Sequence, residues 1–329
     1  MKYSVIIPVY NRPDEVDELL ESLTRQTFAD FEVLVVEDGS TLSCEHVVEK
    51  YKGRLDVKYF FKSNSGPGQT RNYGAERSQG EYLIILDSDC VLPEGYLAAV
   101  ESELAQTHAD AFGGPDSAHP SFSRTQKAIN YSMTSFFTTG GIRGGKKKVD
   151  KFYPRSFNMG IRREAYMALG GFSKMRFGED IDLSIRIFKA GYRCCLFRSA
   201  WVWHKRRTDM KKFFKQVHNS GIARINLYKR YPESLKLVHM APAVFTLGTV
   251  LCIALSALSG LWLMPLAAYA LLILLDSTIH NGDVVVGALS ILASFIQLLG
   301  YGTGFLRAWW RRCLLGRDEF SAFEKNFYK

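Results

Sequence analysis

The sequence predicts a doubly wound α/β domain with a mostly parallel sheet, followed by amphipathic and transmembrane helices. Three observations carry this reading. Strand and helix patterns alternate between residues 5 and 86. One of the strand patterns, Tyr82-Leu83-Ile84-Ile85-Leu86, is apolar at every position, as a strand covered on both faces is. Near the C-terminus, two uncharged blocks run for 36 residues (240–275) and 23 residues (284–306), where one membrane span needs about 20.

Taken in order, residues 5–9 read as a strand. Residues 14–26 read as a helix with Val16, Leu19, Leu20 and Leu23 on one face. Residues 31–36 form a second strand pattern that ends in Glu37-Asp38-Gly39-Ser40, and a helix near 44–51 and a strand near 57–61 come next. Ser65-Gly66-Pro67-Gly68 opens a helix through Arg71, Asn72 and Ala75, and the strand at 82–86 completes a βαβαβαβ order. That strand runs into Asp87-Ser88-Asp89. Ligands of α/β sheets bind beyond the carboxyl ends of strands. Two carboxylates there repel unless a cation such as Mg²⁺ or Mn²⁺ lies between them. Taken alone, the same triplet also reads as an Asp-rich turn.

Beyond Pro93 the pattern loosens. Residues 94–107 look helical, and Gly140 to Lys148, with Lys146-Lys147-Lys148, lacks apolar periodicity and reads as a loop. Residues 157–161 resemble another strand, and Gly178-Glu179-Asp180 opens a helix that Gly191 ends. Asp209 is an N-cap for a basic amphipathic helix carrying Met210, Phe213, Phe214, Val217, Ile225 and Tyr228, a pattern suited to a membrane surface. Gly260 and Pro265 are expected to break the first uncharged block into a full span and a shorter or re-entrant piece.

Composition narrows the partners. The 329 residues, 47% hydrophobic, suffice for one large domain and something smaller. The excess of 42 Lys and Arg over 33 Asp and Glu crowds the flanks of the apolar blocks, which favours a membrane surface over nucleic acid. Six cysteines without metal spacing imply reduced thiols. The apolar start is interrupted by Pro8, Asn11, Arg12 and Pro13, too soon for a signal-peptide core, so the first domain is expected in the cytoplasm. Lys and Arg lie before Met240 and after Leu306 but not in 276–283, which puts both flanks on the cytoplasmic side of the inner membrane, with an even number of crossings.

The ordered set Pro8-Val9-Tyr10-Asn11, Glu37-Asp38-Gly39-Ser40, Asp87-Ser88-Asp89 and Gly178-Glu179-Asp180 closely resembles the family 2 glycosyltransferases, from Tyr3 to about His204. The resemblance implies a GT-A fold, inversion at the sugar, and a nucleoside-diphosphate sugar as donor, UDP by family habit. It assigns the nucleoside to Pro8, Tyr10 and Asp38, and the diphosphate to Arg71, with Asn72 supporting it. It assigns a Mn²⁺ or Mg²⁺ ion to Asp87, Asp89 and His204, and the catalytic base to Asp180, with Glu179 at the acceptor or the loop. Arg71 reads equally well as a structural partner of an acid in its own domain. Processive members carry Gln-x-x-Arg-Trp after the base; Gln216-Val217-His218-Asn219-Ser220 lacks it, so one sugar is expected to be added, to a lipid-linked or glycan acceptor.

The implied organisation is a catalytic domain at 1–207, an interfacial helix at 208–236, a membrane region of two to three helices at 237–307 and a basic tail at 308–329. Nucleotidyl transfer is the second enzymatic reading, and a membrane-tethered sugar-nucleotide-binding protein without catalysis is the third.

Overall fold

A computed structural model describes residues 1–117, 119, 121–140, 152–175, 177–205 and 208–322. The expected Lys146–Lys148 loop lies outside them. In chain order the elements are β1 (Tyr3–Val9), α1 (Pro13–Thr24), β2 (Phe31–Asp38), α2 (Glu45–Glu49), β3 (Val57–Lys62), α3 (Pro67–Glu76), β4 (Tyr82–Leu86), β5 (Cys90–Val91) and α4 (Tyr96–Thr107). Next come β6 (Ala111–Gly113), β7 (Asp116–Ser117), α5 (Arg124–Thr134), α6 (Phe136–Thr139), β8 (Asn158–Arg162), α7 (Arg163–Ala168), α8 (Glu179–Lys189), β9 (Cys194–Leu196) and β10 (Val202–His204). Four long helices close the chain: α9 (Met210–Arg230), α10 (Ala241–Leu255), α11 (Met264–Asn281) and α12 (Val284–Trp309).

The chain divides into two compact units. The first holds Met1–His119 and Asp150–Lys205 and is built on a seven-stranded sheet of order β3-β2-β1-β4-β8-β6-β9. The four strands from β3 to β4 are parallel, and β6 is parallel to β9. Only β8 runs antiparallel, to both β4 and β6. The mostly parallel α/β sheet expected from sequence is therefore present. β4 is buried throughout, and its side chains divide by period two. Ile84 and Leu86 enter one core with Val5, Ile7 and the α1 and α4 leucines, while Leu83 and Ile85 enter the other with Met159 and Leu183. This fully covered strand delivers Asp87 and Asp89 to its carboxyl end. Because β8 is antiparallel, its first residue, Asn158, pairs with Leu86 at that same end. A second sheet, β5-β10-β7, sets His204 opposite Cys90 and Val202 beside Asp116.

The second unit comprises Pro120–Val149 and Arg206–Lys329. Asp209 caps α9, its side chain accepting from the Lys212 backbone N–H at 2.7 Å. The first uncharged block is broken as expected. α10 ends at Leu255, a 3-10 turn spans Gly260–Leu263, and Pro265 falls in the first turn of α11, where a missing N–H has no consequence. The piece before the break is the shorter one. Gly260–Asn281 and Val284–Leu314 are long and apolar enough to cross a membrane by length and composition. The sequence suggested one contiguous first domain to residue 207. The contacts instead group 120–149 with the C-terminal helices, because Ala128, Ile129 and Met133 of α5 share an apolar cluster with Val286 and Ala293 of α12.

Candidate active site

The site grows from the end of β4. Asp87 Oδ1 accepts from Arg71 Nη2 at 2.7 Å, and Arg71 Nη1 donates to Glu179 Oε1 at 3.1 Å. One buried guanidinium, carried by α3 and lying 5.2 Å from the Phe172 ring centre, thus joins the strand-end acid to the start of α8. A buried Arg is stable only if its charge is met, and here two carboxylates meet it. Arg71 is thus paired with two acids of its own domain.

Asp89 turns to different partners. Arg12 Nη1 donates to Asp89 Oδ2 at 2.8 Å, and His204 Nε2 lies 3.2 Å from Asp89 Oδ1. The imidazole stacks on Phe157 at 4.7 Å between centres, and its other nitrogen lies 3.8 Å from Asp116. Ligand atoms of Asp89, Cys90 and His204 all lie within 4.8 Å of one another. Burial pushes the Cys90 thiol well above its ordinary range, and its Sγ donates to the Phe157 carbonyl. The remaining carboxylate and imidazole are donors that fit Mn²⁺, with coordination places left for substrate oxygens. Asp87, expected from sequence in the same metal set, turns to Arg71 and lies outside this cluster.

Glu179 and Asp180 open α8 after Gly178, whose φ of 82° is a left-handed conformation that glycine adopts without penalty. Glu179 is buried and points to Arg71. Desolvation, with Asp180 beside it, pushes its carboxyl up to about 7. Asp180 is more open: Oδ1 accepts from the Ile181 N–H at 2.8 Å and Oδ2 lies 3.4 Å from Arg155 Nη1. Its charge also acts on Arg71. Asp182, the next acid beyond Ile181, pairs with Arg186, which holds the Leu169 and Gly171 carbonyls.

The strand-one and strand-two loops are laced together. Asn11, at φ 54°, accepts from the Thr41 and Leu42 N–H groups, and its own N–H donates to Ser40 Oγ. Since Arg12 reaches Asp89, this loop links the end of β2 to the end of β4. Pro8 and Tyr10 are half-buried beside it. Asp38 holds the Ser65 and Gly66 N–H groups at 2.8 and 2.9 Å and Lys62 Nζ at 2.6 Å, fixing the loop that starts α3 and so aims Arg71. Asn72 is turned away from the acids: its amide brackets Phe172, accepting from its N–H and donating to its carbonyl. Glu37 is an interior acceptor for Ser43 and Tyr59 hydroxyls.

Among the described residues the structure therefore joins Asp87, Arg71, Glu179 and Asp180 in one network, and Asp89, Arg12 and His204 in an adjoining one. Arg12, Asp116, Arg155, Phe157 and Phe172 were not read from the sequence. Arg12 had a signal, being one residue beyond the first motif. Asp116 opens the two-residue strand β7, too short to carry a pattern, and Arg155, Phe157 and Phe172 lie in loops.

The model of the Glycosyl transferase family 2 matches residues 4–170, more than half of the chain. The chain is a family 2 glycosyltransferase. The enzyme is 39% identical over 114 residues to the poly(ribitol-phosphate) beta-N-acetylglucosaminyltransferase TarS of Staphylococcus aureus, across 33% of its own chain and 20% of that protein. It is 32% identical over 115 residues to the GalNAc(5)-diNAcBac-PP-undecaprenol beta-1,3-glucosyltransferase of Campylobacter jejuni, across 34% and 37%. The glycosyltransferase thus spans about a fifth and about a third of the length of these curated relatives. In structure it resembles the mannosyltransferase PcManGT of Pyrobaculum calidifontis, solved with GDP-Man and Mn²⁺, at a TM-score of 0.65 and 18% identity, covering 94% of its chain and 88% of that one. That likeness bears on the fold, which is GT-A-like with apolar C-terminal helices.

Proposed function

We propose that this glycosyltransferase is metal-dependent and inverting, and moves a single sugar from a nucleoside-diphosphate sugar, UDP favoured, to a hydroxyl of a lipid-linked acceptor at the cytoplasmic face of a membrane. The observation that carries the reading is the shared guanidinium of Arg71, which draws Asp87 at the end of β4 and Glu179 at the start of α8 to one point. Acids from elements 92 residues apart in sequence, 87 and 179, meet where α/β sheets bind ligands.

The residues divide the work. Pro8, Tyr10 and Asp38 border the nucleoside, Asp38 through the Ser65–Gly66 backbone it fixes and through a carboxylate able to accept from a base imide or ribose hydroxyl. Asp89 and His204 hold the cation, and Asp87 borders the donor phosphates with Arg71. The cation, when bound, neutralises charge on the departing diphosphate. Asp180 takes the proton of the acceptor hydroxyl as its oxygen bonds to the anomeric carbon and the bond to the diphosphate breaks on the opposite face. General-base help of this kind contributes about 10²–10⁴ in rate. Glu179, neutral or paired with Arg71, holds that base at the helix start. Asn72 supports the site at one remove, through Phe172.

The membrane part of the reading rests on the apolar blocks at 237–307, the basic helix at 208–236, and the basic tail from 308. A lipid-linked acceptor is supported by the name of the Campylobacter jejuni relative, whose acceptor carries undecaprenol. The test is incubation of purified protein with Mn²⁺, a panel of sugar nucleotides and membrane lipid extract, following nucleotide release and lipid modification together. Free nucleoside diphosphate with a glycosylated lipid is expected. Pyrophosphate release would favour nucleotidyl transfer, and binding without turnover would favour a sensor.

A further inference from the structure

We infer, resting on the membrane reading of the second unit, that α12, its most apolar long helix, does not cross the bilayer. It lies along the membrane surface, and the α10–α11 hairpin alone enters the lipid and returns on the same face.

The packing around α12 carries this. α9 runs beside its C-terminal half in the same direction. Phe213 of α9 clusters with Ala293, Val217 abuts Gly300, Gly221 abuts Tyr301 and Phe305, and Asn226 Oδ1 accepts from Arg312 Nη1 at 2.8 Å. The approach is close. A Cβ at Gly304 would lie 2.0 Å from the His218 carbonyl oxygen, and one at Gly221 would lie 2.1 Å from that of Tyr301. From Ala293 to Arg312 the contact extends about 30 Å at 1.5 Å per residue, the full depth of a hydrocarbon core. α9 carries Lys211, Lys212, Lys215, Arg224, Lys229 and Arg230, none of them buried. If α12 crossed the bilayer, these six charges would be drawn through the hydrocarbon with it. The N-terminal half of α12 is flanked in the same way by α5: Arg124 pairs with Asp283, the N-cap of α12, at 2.8 Å, and Ala128, Ile129 and Met133 cluster with Val286 and Ala293.

The hairpin has the opposite character. Between Leu247 and Met264, Thr249 is the only buried residue, and no residue is charged. Leu258 is 80% exposed and Leu261 70%, at the turn itself, where a loop emerging into water on the far side would carry polar groups. The hydroxyls here are satisfied internally: Thr246, Thr249 and Ser256 donate to carbonyls of their own helix, and Ser259 accepts from the Leu261 N–H. α10, at 15 residues, is about 22 Å long and falls short of a crossing. A turn of this chemistry fits the acyl chains of a lipid and nothing aqueous.

The test uses the full chain in vesicles of phosphatidylcholine and phosphatidylglycerol in equal parts, with the phosphatidylcholine brominated either near the headgroup or at mid-chain. Trp262 at the hairpin turn is read as the difference between the native protein and Trp262→Phe. Leu292→Trp and Thr303→Trp report on the two exposed flanks of α12. Greatest loss of Trp262 fluorescence with mid-chain bromine, and greatest loss at positions 292 and 303 with headgroup-proximal bromine, is the expected result. Strongest mid-chain quenching at 292 or 303 would make α12 a span and overturn the inference, as would shallow quenching of Trp262. Absence of quenching at all three positions would instead remove the membrane reading beneath it. Both introduced Trp residues replace exposed side chains, and retained nucleotide release shows that the variants are folded.

Discussion

The two units treat charge and apolar surface in opposite ways. In the first, buried ions are matched: Arg71 against Asp87 and Glu179, Asp38 against Lys62 and two backbone N–H groups, Glu32 against Lys58 and Ser4. In the second, every Lys and Arg of α9 stays at the rim while apolar side chains face outward. Of the 30 large apolar residues exposed among the described ones, only Met1, Leu42, Phe61 and Met167 belong to the first unit. A surface of that kind is abnormal for a protein in water, whereas a buried ionic network is abnormal without a chemical task. On the proposed function, the difference separates a unit organised around a polar ligand from one organised around a nonpolar phase.

The largest effect is expected where the ionic network meets the reaction. Asp180→Asn should lower sugar transfer by about 10²–10⁴ while leaving donor binding near wild type, measured by nucleotide release and by titration calorimetry. A loss under tenfold would remove Asp180 as the base. Arg71→Met strikes the network itself: leaving the buried Glu179 and the half-buried Asp87 without their cation should cost about 3–5 kcal/mol, read from urea denaturation. An unchanged midpoint would mean the pair is solvated and the contrast between the units is overstated.

The reciprocal experiment puts charge into the second unit. Leu258→Glu with Leu261→Glu should release the protein from lipid vesicles in flotation, at a cost of a few kcal/mol for each acid moved to the bilayer centre. Soluble activity on a water-soluble acceptor should persist. Continued flotation would show that the basic helix, and not the hairpin, does the anchoring.

A smaller effect belongs to Glu179. Burial raises its carboxyl from 4.5 to about 7, so the folded state holds the proton where the unfolded chain has released it. The stability Glu179 confers is complete below about pH 4.5 and is lost as pH rises through about 7. Wild type should therefore lose stability relative to Glu179→Gln across that window. A constant difference between the two would show that Arg71 keeps Glu179 ionised throughout.

Much of the fold was legible because its signals are local. The alternation of helix and strand periods up to residue 86 and the fully apolar β4 required no tertiary information, and Asp209, as N-cap, announced α9. The acids were legible because strand ends and helix starts are predictable places. Their partners were not. Arg71 serves Asp87 and Glu179 together only because α3, β4 and α8 converge, and Asn72 faces Phe172 for reasons of loop path. Residues 120–149 read as an ordinary excursion of the first domain, since nothing in the α5 sequence states that its apolar face belongs to α12. Uncharged length likewise marks α12 as long enough to span, while the packing of α9 and α5 along it is visible only in three dimensions.

The central claim is that the β4 acids and the start of α8 enclose one sugar nucleotide and its cation. The most direct measurement is a crystal structure of the protein with a nucleoside-diphosphate sugar and Mn²⁺, located by its anomalous scattering. The ion should be bound by Asp89 and His204, with the anomeric carbon facing Asp180. An ion held elsewhere, or a sugar directed away from Asp180, would contradict that claim.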